Sequence, residues 1–126
     1  RYFREIRPSN IDAGTAPGFL LRLASGRIAL VWNRYACEDG TRPDMRGGQS
    51  QWAEREASNQ RKELSIAFSE DECESWSEPV VIVRMGEGTI AYPNVWERRP
   101  GELWITSGFQ PRPALCFTLM EEDFVG

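Results

Sequence analysis

The feature that most constrains the fold is a series of short runs rich in branched and aromatic residues, separated by Gly, Pro, Asn and Ser. Such runs are typical of β-strands, because these side chains fit a pleated surface while the separating residues fit turns. The connections at 24–26 (ASG) and 99–101 (RPG) suit tight hairpin turns in which glycine supplies a positive φ. The sequence therefore predicts an all-β, antiparallel fold with strands at 18–23 (GFLLRL), 27–34 (RIALVWNR), 63–68 (ELSIAF), 79–84 (PVVIVR), 90–97 (IAYPNVWE), 102–106 (ELWIT) and 114–119 (ALCFTL).

The chain is predicted to be a single β domain over residues 1–126 with an internal repeat. The segments 18–32 (GFLLRLASGRIALVW) and 92–106 (YPNVWERRPGELWIT) share a plan of strand, glycine turn and strand. A long polar stretch at 36–62 separates them, with one short helical possibility at 51–57. Loops of this length are usually functional or disordered, and the sequence favours neither. Residues 1–7 could add an edge strand.

Composition excludes several classes of function. The net charge of −4 and the pI near 4.9 give no basic surface for a nucleic-acid partner. Without histidine, the chain cannot use Ser-His-Asp or Cys-His chemistry, and no motif for a metal or a cofactor is present. The longest apolar run, at 28–32, is far shorter than the ~20 residues of a membrane-spanning helix, so no membrane partner is expected.

The three cysteines, Cys37, Cys73 and Cys116, are too far apart in sequence for a CxxC site, and an odd number leaves at least one unpaired within the chain. We expect them to be reduced and buried. The first ten residues lack the apolar core of a secretion signal, and the cellular compartment stays open.

One segment between the third and fourth predicted strands carries a recognisable motif, 69–76 (SEDECESW). It resembles the Asp box, Ser-x-Asp-x-Gly-x-Thr/Ser-Trp, of the sialidase (neuraminidase) β-propellers. In such a turn the aspartate accepts hydrogen bonds from backbone N–H groups, and the tryptophan packs beneath the hairpin. Ser69, Asp71, Ser75 and Trp76 match the motif, whereas Cys73 stands where the family has glycine. A positive φ at Cys73 would therefore cost on the order of 1 kcal/mol.

The resemblance implies about two blades from the C-terminal portion of a sialidase-type propeller. The first blade would span 17–84, with the long loop 36–62, and a second, incomplete blade would span 90–126. In that family the Asp box is structural and lies on the rim opposite the active site. Strand direction then places 33–34, the long loop, 85–89 and 107–113 on the active-site rim.

The resemblance also suggests site residues. Tyr92 resembles the catalytic tyrosine nucleophile, although a structural Tyr-Pro pair at a strand start is an equal alternative. Arg34 and Arg112 are candidates for binding a substrate carboxylate, because guanidinium groups match carboxylates, although surface arginines are common. Trp52, in the polar loop, is a candidate for stacking on a sugar or anchoring an oligomer. The other tryptophans, Trp32, Trp76, Trp96 and Trp104, are expected in the core between blades.

These residues predict a sialidase-like, glycan-associated propeller segment that is catalytically incomplete alone, since no acid/base aspartate or partner glutamate can be assigned. The partner would be sialic acid or another glycan. The alternatives are an oligomeric, lectin-like carbohydrate-binding module and a structural piece without a ligand. Two blades would leave apolar faces uncovered, so a homo-oligomer is expected.

Overall fold

The computed structural model describes residues 9–14, 16–41, 61–110 and 114–125, with the side chains of 109 and 110 excepted. All seven predicted strands are present, and the prediction of an all-β, antiparallel fold is confirmed. The strands are β1 (Phe19–Arg22), β2 (Ile28–Trp32), β3 (Glu63–Ser69), β4 (Val80–Arg84), β5 (Thr89–Arg99), β6 (Glu102–Gln110) and β7 (Leu115–Met120), followed by a short 3-10 helix, Glu121–Asp123. The predicted edge strand at 1–7 and the helical possibility at 51–57 lie outside the described residues.

The strands form two antiparallel sheets, and in each sheet strands that are consecutive in the sequence lie side by side. The first sheet has the order β1-β2-β3-β4 and the second has the order β5-β6-β7. The hairpin turns predicted at 24–26 and 99–101 contain Gly26 and Gly101, whose φ angles are +92° and +80°. These are values that glycine adopts without the steric cost a Cβ atom would bring. The two sheets fall within 19–84 and 89–120, close to the two predicted blade segments.

The core lies between the inner faces of the two sheets. Val31 and Ile66 of the first sheet belong to one buried cluster with Ile90, Leu103 and Ile105 of the second. All five side chains are at most 1% exposed. Since side chains alternate along a strand, each sheet contributes every second residue to this layer. The sheets are therefore held together mainly by apolar side chains on one face of each.

The outer faces of the two sheets differ. On the first sheet, Leu30 and Trp32 are covered by Ile11 and Trp76. On the second sheet, Trp96 is 57% exposed and its ring lies 5.6 Å from that of Trp104. Trp32 is buried as expected, but it lies on the outer face of the first sheet and not between the two sheets, and the prediction that Trp96 is a core residue is wrong for this chain.

Polar contacts tie the corresponding ends of the two sheets together. At the end that carries the hairpin turns, the buried Glu121 carboxylate accepts hydrogen bonds from Ser25 Oγ at 2.6 Å and Arg27 Nη1 at 3.3 Å. At the opposite end, the buried Asn33 amide donates to the carbonyls of Glu63 and Ile90, at 2.7 and 2.9 Å. These contacts therefore connect the two sheets at both of their ends.

Candidate functional site

The turn after β3 has the hydrogen bonds expected of an Asp box. Asp71 Oδ1 accepts from Ser69 Oγ at 2.9 Å and from the Ser75 N–H at 2.8 Å, and Asp71 Oδ2 accepts from Ser75 Oγ. The Cys73 N–H donates in turn to Ser69 Oγ at 2.9 Å. These bonds, led by the one from the Ser75 hydroxyl, hold the pKa of Asp71 below its ordinary value. The aspartate therefore organises the turn.

Cys73 occupies the strained position predicted for it. Its φ is +71°, and Glu72 before it has a φ of +59°. Both lie in the left-handed region that glycine adopts without steric cost. The expectation that the cysteines are buried is wrong for Cys73 and Cys116, which are exposed. Local desolvation, followed by the charge of Glu72, nevertheless raises the pKa of the Cys73 thiol, which keeps it protonated at neutral pH.

The last motif residue, Trp76, lies half-buried against the outer face of the first sheet. Ser77 fixes the chain beside it, because the Ser77 N–H donates to the Phe68 carbonyl at 2.8 Å and the Phe68 N–H donates to Ser77 Oγ at 3.0 Å. Arg27 of the first hairpin contacts Glu70 of this turn at 2.7 Å. The turn therefore lies at the same end of the sheet as the first hairpin, as strand direction requires.

Tyr92 lies at the opposite end, in an irregular part of β5. The register between β5 and β6 shifts between Ala91 and Asn94, and Tyr92 has a φ of +58°. Pro93 follows and cannot donate to a strand ladder, so the pairing breaks here. The Ser107 hydroxyl donates to the Ala91 carbonyl at 2.7 Å and satisfies that acceptor within the break. A bulge of this kind redirects a side chain, and Tyr92 is left 54% exposed.

A guanidinium group lies against this tyrosine. The Arg61 Cζ atom is 5.3 Å from the centre of the Tyr92 ring, within the range of a cation–π contact. The Ile90 N–H donates to the Arg61 carbonyl at 2.8 Å, which brings the chain before β3 next to β5. Sequence reasoning missed Arg61, because this contact depends on how the two sheets pack.

The buried carboxylate at the start of β3, that of Glu63, is bound by other groups of the chain. Glu63 is buried, its Oε1 accepts from Arg84 Nε at 2.7 Å, and its Oε2 accepts from the Glu38 N–H at 3.0 Å. Arg84 also contacts the Glu38 carboxylate at 2.6 Å. Glu63 thus holds the start of β3 to the end of β4, and both of its carboxylate oxygens already accept hydrogen bonds.

Arg34 lies on the outer face of the first sheet, in a pocket of about 200 Å³ lined by Asn10, Ile11, Asp12, Trp32, Arg34, Trp76, Ser77, Glu78 and Pro79. Its Nε donates to Asp12 Oδ2 at 3.2 Å. The structure brings Tyr92 together with Arg61, and it brings Arg34 together with Trp76. The role of Arg34 in binding a substrate carboxylate stays a prediction, and Asp12 and Glu78 beside it make the pocket a poor place for an anion.

Arg112 and Trp52, the other predicted binding residues, lie outside the described residues. Within the described part of the chain, no group of three or more cysteine, aspartate or glutamate side chains is arranged to hold a metal ion. Over the same residues, no helix has the length and apolar character to cross a bilayer.

The fold and the turn define an all-β domain of two antiparallel sheets, one of which carries an Asp-box turn. In comparisons with known proteins, the chain matches no family model, no curated protein and no solved structure. A relation to the sialidase propellers therefore stays a prediction, which is based on the residues of the turn and on the strand order.

Proposed function

We propose that this chain is a sialidase-like, glycan-associated segment of a β-propeller, and that its part of the ligand site is centred on Tyr92. The observation that carries the proposal is the bulge in β5, which leaves the Tyr92 phenol exposed beside the Arg61 guanidinium. A non-glycine residue with positive φ is costly, and such residues concentrate at functional sites. An exposed phenol with a neighbouring cation suits a polar, anionic ligand.

Two features support the propeller interpretation. Both sheets are meanders of consecutive strands, and they pack face to face through their inner faces, as neighbouring blades do. The turn between β3 and β4 has the hydrogen-bonding scheme that gives the Asp box its shape. The uncovered outer face of the second sheet, which includes Trp96 and Met120, supports the accompanying proposal of a homo-oligomer.

The chain would bind a ligand at this site without turning it over. In the sialidases that the turn resembles, a tyrosine nucleophile acts with a glutamate, an acid/base aspartate and arginines that hold the substrate carboxylate. Here Tyr92 would take the place of the nucleophile and Arg61 would supply positive charge, but Glu63 is committed to Arg84 and Glu38. Residues that act as a catalytic unit lose nearly all activity when one is absent.

The test combines a binding and a turnover measurement. We expect methyl α-N-acetylneuraminide to bind in ligand-observed NMR, and we expect no fluorescence from a 4-methylumbelliferyl sialoside. Arg61→Ala and Tyr92→Ala should each weaken binding. Arg98→Ala is the matched control, because Arg98 lies over the ring of Trp104 at 4.7 Å in a comparable contact on another face.

Equal binding by the wild-type protein and both site variants, or no binding at all, would remove the proposal. Sialoside turnover that disappears in Tyr92→Phe would contradict the catalytic incompleteness and make Tyr92 a nucleophile.

The second candidate function is a lectin-like carbohydrate-binding module. The observation that favours it is the pocket beside Arg34, where aromatic and hydrogen-bonding side chains converge. A glycan array separates the two candidates, because the first requires a sialylated glycan and the second does not.

A further inference from the structure

The pocket on the outer face of the first sheet has walls that are fixed before any ligand arrives. On one side, the Asp12 carbonyl accepts from Trp32 Nε1 at 2.6 Å, and Asp12 Oδ1 accepts from the Tyr35 N–H at 2.8 Å. On the other side, Ser77 is tied to Phe68 through both its N–H and its hydroxyl. A site held in this way loses little conformational entropy on binding.

Its surface combines apolar and polar groups in the manner of a small-molecule site. Trp32 is only 2% exposed, whereas Trp76 is half-buried and offers part of its ring to the pocket. Pro79 extends this apolar surface. A pyranose ring has one face of C–H groups that packs on an aromatic ring and a periphery of hydroxyls that needs hydrogen-bonding partners.

Those hydrogen-bonding partners are present and uncommitted. Arg34 uses Nε to bind Asp12, and among the residues that the structure describes its two terminal nitrogens have no hydrogen-bond or ion-pair partner. The side chains of Asn10 and Glu78 likewise make no hydrogen bond or ion pair with the described part of the chain, and both line the pocket. The pocket therefore offers guanidinium and amide donors together with a carboxylate acceptor.

Charge and size narrow the class of ligand. One positive charge on Arg34 is set against negative charges on Asp12 and Glu78, so the pocket is negative overall and disfavours an anion. Its volume of about 200 Å³ is below the ~300 to 1,000 Å³ of pockets for drug-sized ligands, which leaves room for about one sugar ring.

We infer that this pocket binds a single neutral pyranose unit of a glycan. In this assignment Trp76 packs against the apolar face of the ring, while Arg34, Asn10 and Glu78 bind its hydroxyls. The site is distinct from the Tyr92 site in both position and ligand charge. A glycan could therefore contact this chain through a neutral sugar as well as through an anionic one.

The test measures binding of methyl β-galactoside, methyl β-glucoside and methyl β-N-acetylglucosaminide to the whole chain by ligand-observed NMR titration. We expect at least one to bind with a dissociation constant on the order of 1 mM. Glu78→Ala and Asn10→Ala should each weaken it by about two- to tenfold, which corresponds to the loss of one hydrogen bond. Both side chains are exposed, so these variants should remain folded.

Matched controls identify the pocket as the site. Trp76→Phe should weaken binding, whereas Trp96→Phe, on the exposed face of the second sheet, should leave it unchanged. Glu122→Ala is the control for Glu78→Ala. Tyr92→Ala should also leave neutral-sugar binding unchanged, so this inference and the proposed function can fail separately.

Three results would overturn the inference. The first is that none of the three neutral glycosides binds. The second is that one binds with equal strength to the wild-type protein and to the Glu78→Ala and Trp76→Phe variants. The third is that methyl α-N-acetylneuraminide competes for this pocket more strongly than the neutral sugars do.

Discussion

Replacing Cys73 by glycine should stabilise the protein, because the residue has a φ of +71°. A non-glycine residue in the left-handed region costs roughly 1–2 kcal/mol. Glycine removes this cost but adds back about 0.4–1 kcal/mol through the greater entropy of the unfolded chain. The Cys73 side chain is exposed, and its one turn contact is made by the backbone N–H, so little packing is lost.

The net gain for Cys73→Gly over Cys73→Ala should therefore be about 0.5–1 kcal/mol in the free energy of unfolding. The alanine variant is the correct reference, because it removes the thiol while keeping the strain. The measurement is urea denaturation monitored by tryptophan fluorescence. The unfolding free energies of the two variants are compared with one shared m-value.

Cys116 provides a control for which the opposite change in stability is expected. It is also exposed, but it lies within β7, where a glycine weakens the strand. Cys116→Gly should therefore be less stable than Cys116→Ala. If Cys73→Gly were also less stable than Cys73→Ala, the left-handed conformation and the Asp-box geometry derived from it would be refuted.

Three further predictions follow from individual contacts. Hydrogen bonds lower the pKa of Asp71 from its ordinary 3.8, so the stability that the ionised carboxylate contributes is present above that value and is lost as pH falls through the lowered pKa. The difference in unfolding free energy between wild type and Asp71→Asn, measured by urea melts, should therefore shrink from about pH 5 to pH 2, and a constant difference would contradict this. Glu121→Gln should lower the unfolding free energy by about 1–2 kcal/mol in urea melts, since a buried carboxylate between the sheets loses its charge. Glu122→Gln, at an exposed position, should change it by less than about 0.5 kcal/mol, and equal effects would show that the contact of Glu121 with the first sheet is not stabilising. If the outer face of the second sheet mediates a homo-oligomer, light scattering should give a multiple of the 14.4 kDa chain mass for the wild type and the monomer mass for Trp96→Lys. A wild-type monomer at micromolar concentration would contradict the proposed oligomer.

The strands and the Asp-box turn could be predicted from the sequence because their determinants are local. Alternating apolar residues define a strand within five or six positions, and Ser69, Asp71 and Ser75 satisfy one another within a single turn. Glycine at 26 and 101 marked the hairpins for the same reason.

The wrong prediction for Trp96 has a specific cause in β5. Counting every second residue from the buried Ile90 places Tyr92 and Trp96 on the core face. The bulge between Ala91 and Asn94 adds a residue to one strand, so the pattern shifts by one and Val95 points inward instead. The Tyr-Pro pair is a hint of irregularity, but it does not reveal the number of extra residues.

The two candidate ligand sites were less accessible to sequence reasoning, because each depends on segments that are distant in the chain. Arg61 meets Tyr92 only after the two sheets have packed, and Asp12 reaches Arg34 only because the segment before β1 lies across the end of β2. Neither contact has a periodicity or a motif, so a single sequence provides no signal for it.

The strained residues Cys73 and Tyr92 show why backbone strain has to be interpreted together with its surroundings. Both have a positive φ and an exposed side chain. At Cys73 the exposed thiol stays protonated and the turn needs only the backbone N–H, so a glycine would serve as well. At Tyr92 a glycine would relieve the same strain but would remove the phenol that the bulge places beside Arg61. Strain that a glycine could relieve without loss is neutral evidence about function, whereas strain that presents a particular side chain supports a functional role for that residue.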